Sequence, residues 1–171
     1  MKEGMAIPRP YQAQELIARF RDRNVLVLGD LILDWYWWGK ASRLSPEAPV
    51  PVILKQRATS RAGGAANTAA NLAALGAKVE VIGIVGEDGA GVELRRVLQE
   101  CGVSTGSVLM RPDRPTTTKT RIVALHQQVA RVDEEMTGPL ADEDAGVVIA
   151  SVRGLLGQVD IVSVALVCGA S

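Results

Sequence analysis

Asn24-Val-Leu-Val-Leu-Gly-Asp30 is the stretch that decides the fold class. A continuous β-prone run that ends at glycine and aspartate predicts a strand buried on both faces. Two more apolar strands are predicted at Lys78–Val85 and Asp160–Val167, and helices at Gly64–Leu75 and Asp88–Glu100. This alternation of strand and helix is typical of an α/β domain with a largely parallel sheet.

The other segments give weaker patterns. Residues 31–62 look irregular, and short strands are expected there only at Trp35–Trp38 and Val50–Lys55. The remaining predicted elements are helices at Tyr11–Arg21 and Asp142–Leu156, a strand at Ser107–Met110, and a hairpin of Thr116–Ala124 with Gln127–Asp133 around Leu125-His126. The helix predicted at Asp88–Glu100 is expected to bury Val92, Leu94, Val97 and Leu98.

Composition excludes several classes of protein. The chain has 171 residues, 47% of them hydrophobic, which suits a single domain with a core. Nineteen Lys and Arg balance nineteen Asp and Glu, so neither a nucleic-acid footprint nor a polybasic membrane patch is indicated. No signal peptide or membrane-length apolar run is seen, and Cys101 and Cys168 are expected as reduced thiols, so a cytoplasmic location is expected.

Gly63-Gly64-Ala-Ala-Asn67 leads directly into a predicted helix. Glycines allow a ligand to approach the backbone, and a helix start presents free N–H groups to anions and hydroxyl oxygens. The amide of Asn67 can both donate and accept hydrogen bonds, as a sugar requires. The alternative is an ordinary tight turn into a packing helix.

Asp30 and Asp34 follow the strand end at which open α/β sheets bind ligands, and they could grip a polyol or simply cap turns. Trp35–Trp38 holds four of the six aromatic residues, and on a strand it would point to both faces. A flap over a site or a matching flap of a partner would cover both faces, although core packing is the alternative.

A basic and hydroxyl-rich set could bind a phosphate if the fold gathered it, although solvated charges are the alternative. It comprises Arg43, Arg61, Thr116, Thr117, Thr118, Lys119 and Arg121. His126 fits an exposed turn better than a catalytic base. The spacing of Gly83, Gly86, Gly89 and Gly91 departs from a dinucleotide fingerprint, and neither a P-loop nor a metal-ligand spacing is found.

Taken in order, these motifs resemble the N-terminal half of ribokinase/PfkB-family sugar kinases. Within that family, Arg43–Pro51, Pro115–Arg121 and Gln127–Asp133 are similar to the D-glycero-β-D-manno-heptose-7-phosphate kinases. The resemblance implies a ribokinase-like three-layer α/β sandwich with a small β-sheet lid. Residues 1–171 would form its N-terminal half as one incomplete domain, with lid segments at about residues 35–57.

The resemblance also implies site residues and partners. Asp34, Gly63, Gly64 and Asn67 match sugar-contacting positions, and Arg43, Lys119 and Arg121 are assigned to a substrate phosphate. The lid is expected to form a homodimer contact. The parent activity would be ATP- and Mg²⁺-dependent phosphorylation of heptose 7-phosphate at the anomeric hydroxyl, toward ADP-heptose for lipopolysaccharide.

The family's catalytic base and ATP-binding residues belong to the later half of its domain. No catalytic or metal-binding residue is therefore assigned in this chain, and it is not expected to bind ATP or Mg²⁺ by itself. The chain is interpreted as a truncation that is inactive and poorly soluble alone. The alternatives are a non-catalytic sugar-phosphate-binding module, an assembly element that pairs through its lid, and a dinucleotide-binding oxidoreductase fragment.

Overall fold

The structure, a computed structural model, describes residues 10–166 and the side chains from residue 14 onward, so Cys168 lies outside it. The helices are α1 (Pro10–Ala18), α2 (Gly64–Ala74), α3 (Gly89–Glu100) and α4 (Asp142–Leu155). The strands are β1 (Asn24–Gly29), β2 (Leu31–Leu44), β3 (Pro51–Gly63), β4 (Lys78–Gly86), β5 (Val103–Ser104), β6 (Val108–Arg111), β7 (Thr118–Ala124), β8 (Gln127–Glu134) and β9 (Ile161–Ala165).

The first sheet is parallel and carries the core. Its strand order is β5-β4-β1-β9, and β6 also pairs with β4. Val25, Leu26 and Val27 are almost completely buried at its centre. Small α2 side chains, among them Ala65 and Ala69, have no exposed surface and let that helix pack closely. The predicted α/β class and parallel sheet are confirmed.

The irregular structure predicted for residues 31–62 is wrong. β2 and β3 form one long antiparallel hairpin, joined through residues 45–50 and carrying two register irregularities. Most of β3 is exposed on both faces, so its sequence lacks the alternation by which a half-buried strand is recognised. The predicted burial of Val92 is also wrong, because α3 buries Gly91, Leu94 and Leu98 and leaves Val92 62% exposed.

The second sheet, here called the lid sheet, has the order β3-β2-β7-β8. β7 lies parallel to β2, and β8 returns antiparallel to β7. The predicted hairpin turn is present, with Leu125 and His126 at φ values of 52° and 63°. The lid sheet thus includes β7 and β8 in addition to the residues 35–57 to which the sequence interpretation limited the lid.

β9 is the edge strand of the first sheet, and it pairs with β1. Its apolar residues Ile161, Val162 and Val164 are between 42% and 59% exposed. Exposed strand edges and apolar surface favour association. No helix within residues 10–166 is long and apolar enough to cross a membrane.

Candidate functional site

Gly63 ends β3 and is the N-cap of α2. Gly63 pairs with Ile32 on β2, and Asp34 lies two residues further along that strand. An added Cβ at Gly63 would lie 2.7 Å from Oδ2 of Asp34. The missing side chain therefore leaves the room that the Asp34 carboxylate occupies. The structure brings together two predicted sugar-contacting residues that lie 29 positions apart in the sequence.

Gly64 brings the start of α2 against the end of β1. Its φ is +56°, and an added Cβ would lie 2.4 Å from the carbonyl oxygen of Asp30. The same carbonyl accepts a 2.9 Å hydrogen bond from the Ala65 N–H. Asn67 lies in the first turn of α2 with its side chain exposed. The helix start and the Asp34 carboxylate thus form one polar corner at the base of the lid sheet.

Asp34 is held by an ion pair with Arg121, formed between Oδ1 and Nη1. Both side chains are mostly buried, with 17% and 22% exposed. The hydrogen bond from Arg121 to Asp34 raises the pKa of the guanidinium further above its already high value. Arg121 contacts Oδ1 of Asp34. Because a carboxylate accepts several hydrogen bonds, Oδ2 can accept hydrogen bonds from a ligand.

Tyr36 forms the floor beside this ion pair. The guanidinium carbons of Arg61 and Arg121 lie 5.7 Å and 5.3 Å from the centre of its ring, within cation–π range. Trp38 stacks on Tyr36 with ring centroids 6.0 Å apart. Aromatic surface beside hydrogen-bonding groups suits a sugar ring, which has apolar C–H faces and polar edges.

Lys119 pairs in register with Asp34, but its ammonium group is engaged elsewhere. It contacts Asp133 at 3.1 Å and Glu135 at 3.6 Å. Partial burial works to raise the pKa of Asp133, whereas hydrogen bonds from Lys119 and Arg131 outweigh it and lower that pKa. Lys119 is therefore part of an internal charge network.

Arg43 is not brought to this corner. It is exposed and lies nine residues beyond Asp34 on β2, a separation of roughly 30 Å along an extended strand. Of the three residues assigned to a phosphate, the structure places Lys119 and Arg121 beside Asp34, and Arg43 toward the far end of the hairpin.

Sequence reasoning missed one buried network beside the site. Asp88 is the N-cap of α3, and its carboxylate accepts hydrogen bonds from the N–H of Gly91 (2.7 Å) and from the N–H and hydroxyl of Thr116 (both 2.8 Å). The Thr116 hydroxyl in turn accepts from the N–H of Gly86 at 2.8 Å. Burial works to raise the pKa of Asp88, but these hydrogen bonds outweigh it and the pKa is lowered.

Three of the four glycines considered for a dinucleotide site are packed against the protein itself, whereas Gly89 has open space around it. Added Cβ atoms at Gly83, Gly86 and Gly91 would come within 2.5 Å of Leu31 Cγ, the Arg114 carbonyl and the Gly86 carbonyl, respectively. These glycines allow strands and α3 to approach each other closely, and this observation favours the sugar-kinase interpretation over the oxidoreductase alternative.

His126 is exposed at the β7–β8 turn, as the sequence indicates, and Cys101 is an exposed free thiol. Among the described residues, no three His, Cys, Asp or Glu side chains are arranged to hold a metal ion.

A hollow of about 370 Å³ lies at the opposite end of the parallel strands. It is lined by the strand starts at Asn24 and Lys78 and by Gln158 of the segment after α4. Because open α/β sheets bind ligands at the carboxyl ends of their strands, the corner at Asp34 is the better candidate site.

The family model for "pfkB family carbohydrate kinase" matches residues 22–168. The chain belongs to the pfkB family of carbohydrate kinases. The bifunctional protein HldE of Magnetococcus marinus is 51% identical to this pfkB-family chain over 123 residues, which are 72% of the chain and 25% of the relative. HldE of Wolinella succinogenes is 48% identical over 139 residues, or 81% of the chain and 29% of the relative.

The fold is that of solved sugar kinases. A carbohydrate kinase from Agrobacterium tumefaciens matches with a TM-score of 0.64 and 21% identity, over 83% of this chain and 45% of that protein. Arabidopsis thaliana ribokinase matches with a TM-score of 0.55 and 21% identity, over 74% of this chain and 42% of that protein. The pfkB-family chain thus has a ribokinase-like α/β fold and covers less than a third of the HldE relatives' length.

Proposed function

We propose that this chain is the sugar-binding front half of a kinase that acts on D-glycero-β-D-manno-heptose 7-phosphate. The observation that carries the proposal is the Asp34 carboxylate, fixed by Arg121 above Gly63 at the start of α2. Asp34 Oδ2 would accept hydrogen bonds from sugar hydroxyls, and Asn67 would donate and accept at the opposite edge of the ring. The resemblance of Arg43–Pro51, Pro115–Arg121 and Gln127–Asp133 to heptose-7-phosphate kinases supports the choice of a heptose phosphate.

The proposed reaction is phosphoryl transfer from ATP. The anomeric hydroxyl oxygen would form a bond to the γ-phosphorus, the bond from that phosphorus to the bridging oxygen would break, and ADP would leave. The hydroxyl proton would pass to a base. The residues of this chain would bind and orient the sugar, while ATP, Mg²⁺ and the base would be held elsewhere in a complete kinase domain. We therefore propose that this chain alone binds the sugar phosphate without turnover, and that it acts in the cytoplasm.

Calorimetric titration of the purified chain with heptose 7-phosphate tests the binding step. We expect one site per chain, and Asp34→Asn should weaken binding by about 10- to 100-fold because a hydrogen bond to a charged acceptor is lost. Asp113→Asn is the matched control, since Asp113 is exposed in the β6–β7 connection. Absence of binding by the unmodified chain would contradict the proposal, as would unchanged binding by Asp34→Asn. ADP release by the chain alone would contradict the absence of turnover.

A second candidate function is assembly through the lid sheet. The far part of the β2–β3 hairpin exposes Leu44, Val50 and Leu54 by 52–67%, and Trp37 is 38% exposed under the ammonium group of Lys55. Such apolar surface favours a second lid as its cover. Sedimentation of the unmodified chain should then show dimers, and Trp37→Asp should give monomers, whereas a monomeric unmodified chain would remove this candidate.

A further inference from the structure

The basic residues around Asp34 differ in how far their charge is already neutralised. Strand register places Asp34 opposite Arg61 on β3 and opposite Lys119 on β7, so all three side chains point to the same face of the lid sheet. Lys119 is held by two carboxylates, and Arg121 is held by Asp34. Both cations therefore have partners within the protein.

Arg61 has no such partner within the described part of the chain. It forms no ion pair there, its side chain is exposed, and its guanidinium lies over the ring of Tyr36. Stacking on an aromatic ring orients the flat guanidinium while leaving its N–H groups available. A guanidinium that is oriented but not neutralised is suited to a bidentate contact with a phosphate.

We propose that Arg61 is the specificity-determining residue that contacts the phosphate group of the sugar phosphate. This inference rests on the proposed function, because it takes Asp34 to hold the hydroxyls of the same molecule. Asp34 and Arg61 stand directly opposite each other on adjacent strands, about 5 Å apart at their backbones. One bound molecule can therefore reach both, with its hydroxyls at Asp34 and its phosphate at Arg61.

The assignment changes the roles of the other basic residues. Arg121 becomes a positioning residue, since it orients the Asp34 carboxylate and shares the Tyr36 ring with Arg61. Arg43 has no part in this contact because it lies nine residues further along β2. Neutralising Arg61 should therefore affect a phosphorylated sugar and spare the same sugar without its phosphate.

The test compares two ligands and two variants by calorimetry. The ligands are heptose 7-phosphate and the heptose without phosphate. The variants are Arg61→Gln and its matched control Arg43→Gln, which also removes an exposed arginine, but from the far end of the hairpin. We expect Arg61→Gln to weaken binding of the phosphorylated sugar by about 10- to 100-fold, to leave the heptose affinity unchanged, and to unfold at the same temperature as the unmodified chain. Arg43→Gln should change neither affinity.

The outcomes separate this inference from the proposed function. If the unmodified chain prefers the phosphorylated sugar and Arg61→Gln keeps that preference, the inference is overturned while the proposed function stands. A loss of preference in Arg43→Gln would also overturn it. If the unmodified chain binds neither ligand, the proposed function fails and the inference fails with it.

Discussion

Gly63 and Gly64 are adjacent, but the structure gives them different tasks, and alanine substitutions should separate these tasks. At Gly63 the backbone is extended, with φ at −124°, so alanine causes no backbone strain. The new Cβ would lie 2.7 Å from Asp34 Oδ2 and 3.1 Å from its Cγ. The carboxylate would have to turn away from Gly63, and its contact with Arg121 would weaken.

The two substitutions should differ in their effect on stability. Gly63→Ala displaces the end of one side chain, and we expect the free energy of unfolding to fall by only about 1 kcal/mol. Gly64→Ala puts a Cβ at φ +56°, which costs about 1–2 kcal/mol, and places it 2.4 Å from the Asp30 carbonyl oxygen, so the backbone must move. We expect a total loss of about 2–4 kcal/mol for that variant.

Urea unfolding followed by tryptophan fluorescence measures this difference, because all three tryptophans lie on β2. Gly146→Ala is the control, since nothing lies within 4 Å of an added Cβ there and alanine should stabilise α4 by roughly 0.5–1 kcal/mol. Calorimetry should show that Gly63→Ala, although folded, binds heptose 7-phosphate at least about 10-fold more weakly. Equal destabilisation by both variants, or unchanged binding by Gly63→Ala, would refute the assignment of Gly63 to the Asp34 carboxylate.

Two more predictions concern α3 and are measured by denaturation. Asp88→Ala removes the N-cap of α3 and the hydrogen-bond acceptor of the buried Thr116. The free energy of unfolding should therefore fall by about 2–4 kcal/mol. If Asp88→Ala lost no more stability than the control Asp113→Ala, the result would contradict the role of this hydrogen-bond network. Hydrogen bonds from Arg96 and Ser60 lower the pKa of Glu93 to about 2, so its contribution is complete above about pH 4.5 and is lost as the pH falls toward 2. Stability measured across that window should therefore fall less in Glu93→Gln than in the unmodified chain, and parallel pH profiles would count against this role.

The sequence predicts those strands that are buried on one face or on both faces. β1 is recognisable by its apolar run Val25–Leu28 and β4 by its apolar run Val81–Val85, and the Leu125-His126 turn is recognisable because it separates two β-prone runs. The sequence does not predict the β2–β3 hairpin because much of it faces solvent on both sides. Its residues therefore do not alternate between apolar and polar as in a half-buried strand. β2 also pairs with β7, which lies about 85 residues away in the chain, and a local sequence pattern does not show such a long-range contact.

The sequence predicts which local motifs contribute to the candidate site. It does not predict how their side chains are arranged or which of them form ion pairs. The glycine pair before α2 and the aspartate after β1 are local signals, and both residues belong to the observed corner. Which cations stay unpaired depends on strand register and on acids elsewhere, such as Asp133. For this reason Arg61 could not be ranked above Lys119 or Arg43 from the sequence.

The position of Asp34 is set by a series of hydrogen bonds that begins at Asp88, at the start of α3. Asp88 fixes Thr116 through two hydrogen bonds, and the carbonyl of the next residue, Thr117, accepts a 2.9 Å hydrogen bond from the Leu33 N–H. These contacts determine where β7 meets β2, and therefore where Arg121 meets Asp34. Helix, loop and lid sheet together hold one carboxylate over Gly63. This explains why the lid sheet and the parallel sheet have to be considered as one binding unit, although their strands do not pair with each other.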